Sequence, residues 1–399
     1  MGERPRRATA LVAIALGASV AACDREAPAP PISAASTAVA SSTVVVAASA
    51  SAAAPEPRAR ESVTLIAGGD VSFGRLVGRM LIERPDIDFF ASLHPWLDGA
   101  DLRFANLEGP ISDQHGETQK PGQSLVFTGP PEAAKALARA RFTVVSTANN
   151  HAWDYGEPAL RETIALLDAA GVGHVGTGES REASRKPEIV AVDGFRVAVL
   201  AVTDIWNQGP LEKHAAEPLV ARADPEALVS AVRALREGGE ADAIVVSYHG
   251  GEEYRDTPIP RAATMLRAAI DAGADVVVGH HPHVIQGVEW YRGKPILYSL
   301  GNLLMRMNRD QPWTELGYLA RLELRRGGAA KVWACPYRIY GVEVLPLAGE
   351  RYREVYEKRF YDHLAAISAP FGGVAVGPPG ADGCARIEAE QGSPRSATR

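Results

Sequence analysis

From residue 61 onward the chain alternates short, continuous apolar runs with stretches in which apolar positions recur at helical spacing. The runs at 63–67, 102–105, 143–146, 195–202, 243–247 and 276–278 are apolar almost throughout, as strands buried on both faces are. The stretches at 131–140 and 261–271 place their apolar residues on one helical face. Strand and helix in alternation predict a layered α/β domain whose sheet is covered on both sides. Past residue 288 the rhythm changes to strands alone, at 288–291, 295–299, 318–324 and 332–339. Arg292-Gly293 between the first two of these reads as a hairpin turn. From about residue 368 Gly, Pro and polar residues dominate, which predicts a loose tail over 368–399.

The first sixty residues follow another pattern. Arg4, Arg6 and Arg7 form a basic start, and residues 8–20 an apolar run too short to span a bilayer comfortably. Val20-Ala21-Ala22-Cys23 then looks like a lipobox, in which Cys23 is lipidated and becomes the first residue of the mature chain. A plain secretory signal with an incidental Cys is the other reading. Residues 24–60 are almost all Ala, Ser, Pro, Val and Thr and cannot bury a core. They read as a disordered tether, reaching on the order of 35 Å as a flexible coil. The expected organisation is therefore a signal peptide over 1–23, a tether over 24–60, one folded domain over 61–367 and a tail. The protein is expected to be exported and lipid-anchored to the cell envelope, on the periplasmic or extracellular face of a membrane.

Composition adds little to this picture. The 399 residues are 46% hydrophobic and 23% charged, ordinary for a globular protein. A net charge of −6, with no Lys/Arg-rich run beyond the extreme N-terminus, argues against nucleic acid as a partner. Besides Cys23 only Cys335 and Cys384 remain. In an oxidising compartment they can pair, and two unpaired thiols is the alternative that the sequence leaves open.

The chemistry lies where the apolar strands stop. The first ends in Gly68-Gly69-Asp70 and the second in Asn106-Leu107-Glu108. The third leads to Asn149-Asn150-His151, a later one ends in Tyr248-His249-Gly250, and the last in Gly279-His280-His281-Pro282-His283. In α/β sheets ligands bind at the carboxyl ends of strands, so these clusters are expected to meet. Carboxylates, an amide and imidazoles together suit Mn, Fe or Zn, and the set is large enough for one or two divalent ions. Two such ions can activate a water and clamp a phosphoryl group. His281 and His283, read as an i,i+2 pair in an extended segment, are expected to point both rings to one side. The glycines beside Asp70, His249 and His280 would let backbone approach the site closely.

Six strings carry a resemblance: GDVSFGR (69–75), NLEGPI (106–111), ANNHAWDYG (148–156), HGGEEY (249–254), GHHPHV (279–284) and YSLGN (298–302). In this order, each at a strand end, they resemble the CapA family, poly-γ-glutamate capsule-biosynthesis proteins similar to metallophosphoesterases. The resemblance covers roughly residues 62–305. It implies a four-layer α/β/β/α sandwich with mixed sheets. It also implies Asp70, Glu108, Asn150, His249, His281 and His283 as metal ligands, with Glu108 bridging, and His151 as the acid that protonates a leaving group. His280 is taken as a neighbour of the site. Asn106, Asn149, Asp154, Tyr155, Glu253, Tyr254, Ser299 and Asn302 would shape a substrate pocket or hold the ligands in place. The chain departs from the phosphoesterase pattern at Ser72, where that pattern has His, and at Glu108, where it has Asp. Gly250 stands where the family often has Trp, which would enlarge the pocket mouth.

The first expectation for function is a metal-dependent hydrolase of a phosphoester or an acyl/amide, acting in capsule or surface-polymer synthesis or processing. The second is a non-catalytic accessory subunit that binds an anionic polymer during synthesis or export, beside membrane subunits of a polymer synthase. A solute-binding lipoprotein fits less well, because no second half of the chain echoes the first.

Overall fold

A computed structural model describes residues 60–390, apart from 306, 308–310 and 329. Cys23, the tether up to residue 59 and the last nine residues, 391–399, lie outside the described residues.

The first series of elements is β1 (Ser62–Val71), α1 (Arg75–Glu83), α2 (His94–Leu97), β2 (Leu102–Leu107), α3 (Glu132–Arg139), β3 (Val144–Ser146), α4 (Gly156–Ala170) and β4 (Gly173–Val175). A short α5 (Arg181–Arg185) leads to the second: β5 (Glu188–Val192), β6 (Phe195–Thr203), α6 (Pro225–Glu237), β7 (Ala243–His249), α7 (Pro260–Ala272) and β8 (Val276–His280). Local chemistry sets several boundaries. Gly171 in the left-handed region stops α4, and Asp224 caps α6 by accepting the Ala227 N–H at 2.9 Å, with Pro225 as its first residue. The hairpin of β9 (Val288–Tyr291) and β10 (Lys294–Leu297) turns at Arg292-Gly293, both at positive φ, as a type I′ turn requires. The chain then returns through β11 (Asn302–Leu304), β12 (Leu316–Arg325), β13 (Lys331–Tyr340), β14 (Glu343–Pro346), α8 (Arg353–Ser368), β15 (Val374–Val376) and β16 (Ala385–Ala389).

These strands form two mixed sheets. The larger runs β15-β16-β13-β12-β1-β2-β3-β4, with β11 also on β1 and β14 on β13. The smaller runs β5-β6-β7-β8-β10-β9. Between the sheets lies one apolar core, to which Leu65, Phe104, Val199, Val245, Val278 and Leu322 contribute. The outer face of the large sheet packs on α1 to α4 through Val77, Leu81, Leu97, Leu137 and Leu167. The outer face of the small sheet packs on α6 and α7 through Leu228, Val232, Leu266 and Ile270. The fold is therefore a four-layer α/β/β/α sandwich with two mixed sheets.

Two expectations change. The strands run further than their apolar segments, so that Asp70, Asn106, His249 and His280 still belong to the ladders. The stretch expected to be a loose tail from 368 is structured as far as 390. Val374, Ala385 and Ile387 enter the core between the sheets, and a Cys335–Cys384 disulfide fastens β13 to the segment before β16. Its apolar residues are few but alternate along two short strands, a signal that the surrounding Gly and Pro conceal. Among the described residues no helix is long and apolar enough to cross a membrane.

Candidate metal centre

Strands β1, β2 and β3 of the large sheet and β7 and β8 of the small one deliver their polar clusters to one place. Register sets the heights. Asp70 stands beside Asn106 on one side and Asn302 on the other, and His249 stands between Thr203 and His280. Glycine makes the close approach possible at two points. A Cβ on Gly69 would lie 1.8 Å from the Gly301 carbonyl oxygen, and one on Gly279 would lie 1.9 Å from that of Tyr298.

Asp70, fully buried, is the hub. Its Oδ1 accepts a bond from Asn106 Nδ2 at 2.8 Å and its Oδ2 the backbone N–H of His281 at 3.2 Å. His280 Nδ1 lies 3.4 Å from Oδ1, and His283 Nδ1 lies 3.6 Å from Oδ2. Burial pushes the carboxyl up, but the His280 and His283 imidazoles beside it outweigh that and hold Asp70 well below the usual carboxylate range.

Glu108 is 1% exposed, and neither carboxylate oxygen has a hydrogen-bond partner. His283 Nε2 is 3.7 Å from its Oε1 and His151 Nε2 is 4.0 Å from it. Burial first, then the charge of Asp70, pushes the Glu108 carboxyl well above its ordinary value. Asp70, Glu108 and His283 each offer one ligand atom, all within 4.8 Å of one another. Asn302 Oδ1 lies 3.0 Å from His283 Nδ1, which leaves Nε2 facing Glu108. That is how a ligating imidazole is commonly oriented. Burial would lower the His283 pKa, but Glu108 and Asp70 lift it to about 9.

A second group lies across Asp70. His249 Nε2 is 2.8 Å from Asn150 Oδ1, its Nδ1 is 3.2 Å from Asn106 Nδ2, and its ring centroid is 5.0 Å from that of His281. Burial, then the neighbouring imidazoles, depresses both rings, His281 to about 3, so both are neutral and competent as ligands. Glu108, expected to bridge, lies against His283 and His151, whereas Asp70 reaches both groups.

His151 is backed by a carboxylate. Its Nδ1 is 2.9 Å from Asp154 Oδ2, which also accepts the Phe127 N–H at 2.9 Å, and its ring lies 4.3 Å from that of Phe127. Asn149 ties this loop to β2, donating to the Leu107 carbonyl at 2.8 Å and accepting the His151 N–H at 3.1 Å. Ser299 donates to the Val284 carbonyl at 2.8 Å and so holds the turn that follows His283. Tyr155 donates to Glu117 at 3.2 Å. Tyr254 has its ring 6.3 Å from that of His283, and both Glu253 and Tyr254 stand at the exposed rim.

Three details differ from expectation. The His281-Pro282-His283 segment is not extended: His281 has φ 98° and His283 φ 59°, and a bend rather than strand alternation sets the two rings 5.8 Å apart. Gly250 does not widen a pocket mouth, because Tyr248 and Asp204 fill that space and a Cβ there would lie 2.6 Å from the Tyr248 hydroxyl. His280 is more than a neighbour. It is fully buried, touches Asp70, and has no hydrogen-bond partner on either ring nitrogen. Sequence reading also missed Phe127, Asn207, which accepts from Asn150 Nδ2 at 3.1 Å, and Arg75. Arg75 closes a quoted string, which was a signal; Phe127 and Asn207 sit in loops that carry none.

Residues 64–307 match the family described as bacterial capsule synthesis protein PGA_cap. The capsule biosynthesis protein CapA of Bacillus anthracis is 34% identical over 71% of this chain and 69% of its own length. The PGA biosynthesis protein CapA of Bacillus subtilis (strain 168) is 33% identical over 70% of this chain and 72% of its own. Among solved structures, the sulfate thiohydrolase SoxB of Thermus thermophilus aligns with a TM-score of 0.40 at 17% identity, covering 69% of this chain and 45% of that one.

Proposed function

This chain belongs to the bacterial capsule synthesis protein family, and from its buried polar centre we propose that it is a metal-dependent hydrolase of the cell envelope, acting on poly-γ-glutamate or a related surface polymer during synthesis or processing. One observation carries the reading. Glu108 is buried with both carboxylate oxygens unpaired beside a second buried carboxylate. Leaving a buried charge uncompensated costs several kcal/mol, and a cation is the partner such a pair lacks. The names of the relatives suggest the polymer; the donor set suggests the chemistry.

Asp70, Glu108 and His283 would hold one ion, and Asn150, His249 and His281 would hold a second. Bound there, a divalent ion such as Mn, Fe or Zn supplies a Lewis acid for a phosphoryl or acyl oxygen and lowers the pKa of water. His151 handles the proton. Asp154 holds its Nδ1, so Nε2, on the Glu108 side, is the atom that gives a proton to the leaving group. Asn302 fixes the His283 ring, Asn106 links Asp70 to His249, and Phe127 covers the His151 ring. Lipid on Cys23 and the tether over 24–60 would keep the domain beside a membrane and its polymer-synthase subunits.

The non-catalytic reading has one feature in its favour. Ser72 stands where a further imidazole would sit and accepts the Gly74 N–H at 3.4 Å. A substrate screen decides between the two. The metal-loaded chain is given phosphomonoesters, phosphodiesters and γ-glutamyl amides, and His151→Ala is run in parallel. Turnover that falls by about 10²–10⁴ in the variant, at unchanged metal content, is expected. No turnover of any substrate, with polymer binding retained, would establish the accessory role instead.

A further inference from the structure

Arg75 has no part in either ligand group, yet its placement is costly. It is the first residue of α1 and has φ 57°, a region that side-chain-bearing residues mostly avoid. Thr118 holds it there from both sides. The Arg75 N–H donates to the Thr118 carbonyl at 2.9 Å, and the Thr118 hydroxyl donates to the Arg75 carbonyl at 2.8 Å. The half-buried guanidinium lies over the Phe127 ring, 4.7 Å from its centroid, and gives one N–H to the Ser124 carbonyl at 2.8 Å. A guanidinium carries five donors. Among the described residues no carboxylate lies within ion-pair distance of it, although Glu108 and Asp154 are the acids whose charge it feels. The same Phe127 ring packs on His151, so one aromatic side chain links Arg75 to the proton-handling group.

A cavity of about 460 Å³ opens beside this arrangement, lined by Ser72, Arg75, Arg79, Gln119, Phe127 and Met305. The loop that carries Gln119 and Phe127 is anchored on α4. Ser112 Oγ donates to Glu162 at 2.6 Å, and the Asp113 N–H donates to the same carboxylate at 3.0 Å. The lining thus contains two arginines, amide and hydroxyl donors and an aromatic face, and among the described residues none that lines it is acidic.

We propose that this cavity is the subsite for an anionic group of the substrate, and that Arg75, with Arg79 at its rim, selects negatively charged substrates next to the metal centre. The inference rests on the hydrolase reading and names what that site would accept. A polymer carboxylate and a phosphate share the chemistry, since both are oxyanions that a guanidinium fork grips through two parallel N–H donors.

Calorimetric titration of the metal-loaded full chain with tri-γ-glutamate and with inorganic phosphate tests this. Wild type is compared with Arg75→Gly, Arg75→Lys and Arg79→Gln. Glycine adopts φ 57° without strain, so Arg75→Gly removes the guanidinium while sparing the backbone. The expected result is anion binding at least about tenfold weaker in Arg75→Gly, with metal content unchanged and the melting temperature near that of wild type. Arg75→Lys should recover only part, because an ammonium cannot fork. Preference for tri-γ-glutamate identifies a polycarboxylate as the source of the anion, and preference for phosphate a phosphoester. Equal affinity in wild type and Arg75→Gly, or no binding of either anion by wild type, overturns the subsite. Metal content separates the two levels: a wild-type chain that takes up no metal contradicts the hydrolase reading, and the same titrations on that metal-free chain still decide the role of Arg75.

Discussion

Asp70 and Glu108 share a buried space that cannot hold two uncompensated charges, and their pKa values are pushed apart in opposite directions. Glu108→Gln should therefore make the metal-free chain more stable at neutral pH, by about 1–2 kcal/mol, because an amide of the same shape needs neither a buried charge nor the proton that burial forces onto Glu108. The same change should abolish the gain in stability that added Mn or Zn gives wild type. Denaturant melts with chelator and with metal check both halves. The pH dependence has a definite sign. Without metal, Glu108 has its pKa raised and His283 has its pKa lifted to about 9, so cation binding competes with protons, with that on His283 above all. Affinity should rise with pH towards 9. Burial lowers both His249 and His281, His281 to about 3, so these two rings should add little to this trend. Metal titrations at pH 6 and pH 8 read this directly, and equal affinity at the two would contradict it. Residue types at strand ends were legible in the sequence; their backbone was not. Arg75, Tyr155, Tyr254, His281 and His283 are all non-glycine residues at positive φ around the site. Such strain is imposed by tertiary packing and leaves no local signature.

At the scale of elements, the site depends on where β1 meets the turn before β11. Gly69→Ala would drive a methyl into the Gly301 carbonyl, backbone against backbone with no side chain able to yield. A loss of about 3 kcal/mol or more, together with loss of metal binding, is expected in thermal melts. The disulfide acts at the far edge of the same sheet. Cys335 and Cys384 are 49 residues apart in sequence with Cα atoms at 4.1 Å, and closing that loop is worth about 2–4 kcal/mol. Cys335→Ala with Cys384→Ala should lower stability by that amount and speed hydrogen exchange at Val374–Val376. Metal content should stay unchanged, since both Cys belong to the apolar cluster on the outer face of the larger sheet. Buried strands such as β1, β6, β7 and β8 could be read from their unbroken apolar runs. Strands β15 and β16 could not, because three and five residues of mixed character become strands only once β13 offers an edge.

The whole molecule brings together what the chain separates. Asp70, in β1 of the larger sheet, and His283, in the bend that follows β8 of the smaller one, are more than two hundred positions apart, yet they meet because both sheets end at the same place. The alternation of strand and helix was enough to predict layers and an edge at which polar clusters gather. It could not tell which clusters share an ion, because that depends on the facing angle of two sheets across a common core. Metal content per chain by elemental mass spectrometry, for wild type and for His281→Ala with His283→Ala, tests the central claim most directly. One or two equivalents of Mn, Fe or Zn in wild type and none in the double variant are predicted. Wild type that stays metal-free after purification and after reloading would contradict the account.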